Sequence, residues 1–142
     1  MIGIDTNILI YARAADSPWQ VAAVDFLESL ASSPDVVIAE LVLVELYLAL
    51  RNPTIFSPPL DAREAAAECR IFRRHPCWAV AENAEVMNRV WNQAESPGFA
   101  RRRIIDARLA FTLQAHGVTE FATANIRDFE NLGFKRVWNP VA

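Results

Sequence analysis

A carboxylate inside an apolar run constrains this chain more than any other feature. Asp5 lies among Ile2, Ile4, Ile8, Leu9 and Ile10, with Thr6 and Asn7 directly after it. Branched aliphatics in such a run read as a buried strand, parallel if helices follow, and Asp5 closes it. Burying an ionised carboxylate without a partner costs on the order of several kcal/mol, comparable to the net stability of a domain. The rest of the chain must therefore bring Asp5 a paired base or a bound cation.

The 142 residues suit one domain with a real core and are too few for two. Downstream of the first strand, Asn7 to Arg13 reads as a short helix. Ser17 and Pro18 signal the start of another, with Val21, Val24, Phe26, Leu27 and Leu30 as its apolar face. Val36 to Ile38 is a second strand. Leu41 to Leu50 is apolar all round except for Glu45, the pattern of a buried helix. Three prolines put an exposed loop at Asn52 to Pro59, and Asp61 caps a helix running to about Arg74. Trp78 to Val80 is a third strand, and Asn83 caps a helix carrying Val86, Val90 and Trp91. Arg101 to Arg103 lead into a helix that Gly117 stops. Glu120 to Thr123 is a strand, Asn125 to Glu130 a turn or short helix, and Lys135 to Trp138 a last strand. Strands alternating with helices predict an α/β fold, a short, mainly parallel sheet flanked by helices on both faces. Ligands of such sheets bind beyond the carboxyl ends of the strands, which is where Asp5 points.

Composition excludes several classes. The apolar N-terminus lacks a basic n-region and a small-residue cleavage site, so no signal peptide is expected, and no stretch suits a membrane span. Cys69 and Cys77 have no zinc-like spacing and fit the reduced thiols of a cytoplasmic protein. His75, before Pro76, and His116, before Gly117, read as surface or helix-end residues. A net charge of −3 argues against a broad basic surface for nucleic acid. It leaves open a nuclease whose acidic site gains positive charge from metal. Of the 14 basic residues only Lys135 is a lysine, and arginine is the better bidentate partner for phosphate.

Asp5 is one of four acids in apolar or strand-end settings. Glu45 lies in LVLVELYLAL, Asp106 in RIIDARLAF, and Asp128 in the turn after the strand at 120–123. Taken singly, each has an ordinary explanation. Asp106 has Arg102 and Arg103 at helical spacing, Asp128 suits a turn, and Asp5 suits an Asx-turn. Glu45 has no basic residue within reach along its own helix. Together they suggest an oxygen-rich cluster for a hard cation such as Mg²⁺ or Mn²⁺.

At these residues the sequence resembles the PIN-domain ribonucleases, and among them the VapC-type toxins of prokaryotic toxin–antitoxin pairs. The resemblance runs through IDTNILIYA, VLVELYLALRNP, IIDARLAFTLQAHG and FATANIRDF, in that order, across essentially the whole chain. It implies that Asp5, Glu45, Asp106 and Asp128 form an acidic quartet holding one or two Mg²⁺ or Mn²⁺ ions. Thr6, Asn7, Thr123 and Asn125 would orient those acids. The implied activity is metal-assisted hydrolysis of RNA phosphodiester bonds with no side-chain nucleophile. Around Asp106, Arg101, Arg102, Arg103 and Arg108 are candidates for the RNA backbone, read equally as a solvated basic helix start. Glu40 stands where many relatives carry a small polar residue and is expected in solvent. The resemblance also implies a homodimer and a VapB-type antitoxin whose C-terminal segment occupies the groove. Trp19, Phe26 and the Ile55 to Pro59 loop are candidate partner surfaces, with core burial the expectation for Phe26.

Two other readings compete. An aspartyl-phosphate phosphatase would need a second Asp two residues after Asp5, where this chain has Asn7. A PIN-like module that binds RNA or a partner without cutting would have no need of all four acids.

Overall fold

The computed structural model describes residues 1–142. The apolar N-terminal run divides at Asp5. Ile2–Ile4 is strand β1, Thr6–Arg13 is helix α1, and Asp5 is the N-cap between them, its carboxylate accepting from the Thr6 N–H. The chain continues through α2 (Gln20–Ser29), β2 (Val36–Ala39), α3 (Glu40–Leu50), α4 (Ala62–Arg73) and β3 (Ala79–Ala81). It then runs through α5 (Met87–Ala94), α6 (Arg103–Ala115), β4 (Glu120–Ala122), α7 (Ile126–Phe129) and β5 (Arg136–Trp138).

The five strands form one sheet in the order β3-β2-β1-β4-β5, and every pairing is parallel. From β1 the chain winds outward through β2 to β3, then crosses back to β4 and β5 on the other side. Right-handed crossovers in the two directions put helices on opposite faces of the sheet. All four residues of β2 are buried, as a strand covered on both faces requires. Ile4, Ile8, Leu9, Val36, Ile38, Leu46, Leu113 and Phe121 belong to the single apolar core. Gly3 keeps β1 close to its neighbours, since a Cβ there would lie 3.1 Å from Phe121 and 3.2 Å from Leu113. No helix is long and apolar enough to cross a membrane.

Three expectations need correction. Helix α3 is not buried all round, for Val44 is 54% and Leu48 63% exposed. It packs on α1, α4 and β2, and these cover only part of its circumference. Helix α2 begins at Gln20, three residues after Ser17, whose hydroxyl instead accepts from the Trp19 N–H in the preceding turn. The phase of that helix buries Ala23 and leaves Val21 exposed. Helix α5 begins after Val86 rather than Asn83, and it buries Val90 while turning Trp91 outward. The helix from Asp61 is as expected, with a complete capping box between Asp61 and Glu64.

Candidate active site

The sheet reverses direction of winding between β1 and β4, which are adjacent although their first paired positions, Ile2 and Glu120, are 118 positions apart. A crevice opens beyond the carboxyl ends of strands at such a switch point. Asp5 leaves the end of β1 there, and Thr123 leaves the end of β4.

Hydrogen bonds lock these two ends together. The Thr123 hydroxyl donates to Asp5 Oδ2 at 2.7 Å, and the Thr6 N–H donates to Asp5 Oδ1 at 2.8 Å. Asn7 spans the crevice, its amide donating to Asp5 Oδ2 at 3.3 Å while its Oδ1 accepts from the Ala124 N–H at 3.2 Å. Asn125 donates its backbone N–H to the Thr123 hydroxyl at 3.0 Å. The Thr6 hydroxyl reaches the other way, to Glu45 Oε2 on α3 at 2.9 Å. Thr6, Asn7 and Thr123 therefore hold carboxylates with their side chains, whereas Asn125 acts here through its backbone.

Asp5, Glu45, Asp106 and Asp128 all line one pocket of about 280 Å³, with Thr6, Asn7 and Asn125 around them. Four separate segments deliver the acids: the end of β1, α3, α6 and α7. Asp5 is 7% exposed, and burial, reinforced by Glu45 and Asp128, raises its carboxyl from 3.8 to about 6 against the opposing pull of Thr123 and Thr6. Asp106 is also raised to about 6, by burial first and then by Asp128, Asp5 and Glu45, with Arg103 opposing. None of the four takes part in an ion pair.

This donor set fits a hard divalent cation. The pocket lining holds carboxylate, hydroxyl and amide oxygens and no His or Cys. No three of these acids close into a metal shell on their own. Mg²⁺ requires no such shell, since it keeps several waters and uses one or two carboxylates plus substrate phosphate rather than an all-protein cage. A dication is also the charge that would favour the ionised forms of Asp5 and Asp106 against the burial that raises them.

The arginines divide differently from the expectation. Arg102 and Arg103 line a second bay of about 760 Å³ that shares Glu45, Asp106 and Asp128 with the first pocket. Arg103 is engaged there, with its guanidinium donating to the Glu130 carbonyl and its Nε buried without a partner. Arg108 instead borders an apolar cleft with Leu41, Met87, Trp91 and Ile104. Arg127 lines the acidic bay and was not among the sequence candidates, although its place directly before Asp128 was a readable signal. Glu40 is not free in solvent. Arg73 Nε donates to it at 2.8 Å, and it lies outside the acidic pocket. His75 stacks on Trp78 and accepts from the Cys77 and Trp78 N–H groups, and His116 is the C-cap of α6.

The PIN domain model matches residues 2–135. The chain is 55% identical over 141 residues to Ribonuclease VapC24 of Mycobacterium tuberculosis, covering 99% of this chain and 97% of that protein. The crystal structure of VapC20 of the same organism, described as a Sarcin-Ricin loop cleaving toxin, superposes with a TM-score of 0.69 at 18% identity, covering 94% of this chain and 96% of that one. VapBC2 from Rickettsia felis, bound to a DNA fragment from their promoter, gives 0.67 at 21% identity over 98% of each chain. At those identities the two structures speak for the fold.

Proposed function

The chain belongs to the PIN-domain family, and from that premise we propose that it is a VapC-type endoribonuclease toxin hydrolysing RNA phosphodiester bonds at the acidic pocket. One observation carries the reading. Four segments of chain bring four carboxylates to one pocket, and the most buried of them has hydrogen bonds but no basic partner. A fold gains nothing from that arrangement unless a cation joins it.

Asp5 and Asp106 would hold Mg²⁺ or Mn²⁺ directly, Glu45 beside them, and Asp128 from the rim. When bound, the ion supplies Lewis acidity, polarising a phosphoryl oxygen and making water a competent nucleophile near neutral pH. Thr123, Asn7 and the Thr6 N–H fix the Asp5 carboxylate, and the Thr6 hydroxyl fixes Glu45. Carboxylates so held need little rearrangement as charge develops on the phosphate. No Ser or Cys lines the pocket and the Thr6 hydroxyl is engaged with Glu45, which supports water as the attacking group. Unstacked bases of single-stranded or looped RNA are the form that reaches such a crevice.

The same reading extends to partners and place. A VapB-type antitoxin would inhibit by laying its C-terminal segment over the acids, and the toxin would be a cytoplasmic homodimer. Exposed apolar side chains offer surface for both contacts: the sequence candidates Trp19 and Ile55, and in addition Val44, Leu48 and Trp91. Phe26 is half-buried edge-on to Trp138.

The test is to incubate the purified chain with a mixed cellular RNA pool in Mg²⁺, Mn²⁺ or EDTA, beside an Asp5→Asn, Asp106→Asn variant, and to map new 5′ ends. Discrete metal-dependent cuts that vanish in the variant are expected. No cuts, with variant and parent equal in RNA binding and in metal-dependent melting, would replace the nuclease by the non-cutting module.

A further inference from the structure

We propose that Arg127, with Arg102 in the same bay, grips the RNA backbone at the phosphate neighbouring the one that is cut. The inference rests on the nuclease reading and adds to it the route by which the strand enters. Two openings meet at the acids and differ in charge. The 280 Å³ pocket holds all four carboxylates and no basic residue, so alone it repels a polyanion. The 760 Å³ bay beside it shares Glu45, Asp106 and Asp128, but sets Arg102, Arg103 and Arg127 against them.

Only two of those three arginines are available. Arg103 is half-buried and spent on the Glu130 carbonyl, a link between the start of α6 and the end of α7 that bridges the elements carrying Asp106 and Asp128. Arg102 and Arg127 are exposed and belong to no ion pair, despite lying in one bay with three acids. They come from different elements, Arg102 from the N-cap of α6 and Arg127 from α7. Two free planar forks carried by separate elements of one bay suit a phosphodiester backbone lying along it. The remaining opening, where Arg108 stands, is mostly apolar and offers the backbone a single cation beside Glu45. The strand therefore passes through the bay, and Arg127, one residue from Asp128, holds the phosphate that follows or precedes the scissile one.

The experiment measures kcat/KM for a fluorescein-labelled single-stranded oligoribonucleotide containing a site cut by the parent chain. KCl is varied at fixed Mn²⁺, and binding of the same RNA is followed by anisotropy in EDTA. Arg127→Ala is expected to lower kcat/KM at least tenfold at low salt. It should also flatten the slope of log(kcat/KM) against log[KCl] by roughly 0.7, one single-strand phosphate contact. Arg127→Lys should restore the slope but not all of the rate. Arg63→Ala, the same charge change on α4 outside both openings, should alter neither. The Mn²⁺-induced rise in melting temperature should be unchanged in Arg127→Ala. An unaltered slope, an equal effect of Arg63→Ala, or loss of the Mn²⁺ response would overturn the assignment of Arg127. A parent chain that cuts no RNA would instead overturn the nuclease reading, and the anisotropy slopes would still decide whether Arg127 touches a phosphate.

Discussion

The Thr123 hydroxyl sits 2.7 Å from Asp5 Oδ2, joining residues 118 positions apart in sequence across the ends of neighbouring strands. Thr123 is fully buried, and its oxygen also accepts from the Asn125 N–H and lies 3.4 Å from the Asn7 amide. One hydroxyl thus orders both strand ends of the crevice. Replacing it by the isosteric Val leaves a buried carboxylate oxygen and a backbone N–H short of a partner, at a cost of about 1–3 kcal/mol. Thr123→Val is expected to lose that stability in urea unfolding and to weaken Mn²⁺ binding roughly 10–100-fold, as loss of a ligand-orienting group does. Thr123→Ser should retain most of both.

Asp5→Asn should abolish RNA cleavage, to below about one-thousandth of the parent rate, as expected when a metal ligand carrying the electrostatics of the reaction is neutralised. The same change should make the metal-free protein more stable at pH 7.5, by about 1–3 kcal/mol, because it removes a buried charge that burial and its acidic neighbours disfavour. Opposite signs for activity and stability mark a residue retained for binding rather than for folding. Urea unfolding with and without Mn²⁺ reads both, and destabilisation of the metal-free variant would contradict the account.

The raised carboxyls make stability depend on pH in a defined direction. Asp5 titrates near 3.8 unfolded and at about 6 folded, so between those values the folded chain binds the extra proton. Its contribution is fully present below 3.8 and is lost as pH rises through about 6, amounting to about 3 kcal/mol for this well-buried group. Asp106 shifts the same way, in a more exposed position that solvent screens. In EDTA, unfolding free energy should therefore contain a falling component between pH 4 and 7 that shrinks in Asp5→Asn to the part contributed by Asp106. Saturating Mn²⁺ should suppress it in the parent chain. Cleavage at low Mn²⁺ should rise over the same interval as the carboxylates ionise.

Asp61→Ala removes the half of the α4 capping box in which the Asp61 carboxylate accepts from the Glu64 N–H. It should cost about 1 kcal/mol in unfolding free energy and leave RNA cleavage unchanged, since α4 contributes nothing to the acidic pocket. A parallel loss of activity would tie α4 to the site.

Leu48→Asp tests the exposed apolar strip on α3. Leu48 is 63% exposed, so folding stability should move by no more than about 0.5 kcal/mol. Self-association, followed by sedimentation, should weaken at least tenfold if this face joins two copies of the chain. An unchanged association constant would place the contact elsewhere, with Trp19 and Ile55 the next surfaces to change.

Much was legible in the chain itself. Alternation of short aliphatic runs with helical periods specified a parallel α/β sheet, because a strand covered on both faces has to be apolar throughout, as β2 is. The conflict of Asp5 with its apolar neighbours pointed to a bound charge, and the ordered motifs supplied the other three acids. Local phase was less legible. Neither the apolar circumference of α3 nor the pattern of α2 shows which strip other elements will leave bare, since exposure depends on what packs alongside. Tertiary structure alone decided that Arg103 bonds to the Glu130 carbonyl, that Glu40 pairs with Arg73, and that Arg127 joins the acidic bay while Arg108 faces an apolar cleft. The physical reason is reach. Sequence periodicity reports which face of its own element a residue occupies, whereas a long flexible cation takes whichever partner the folded neighbours bring near it.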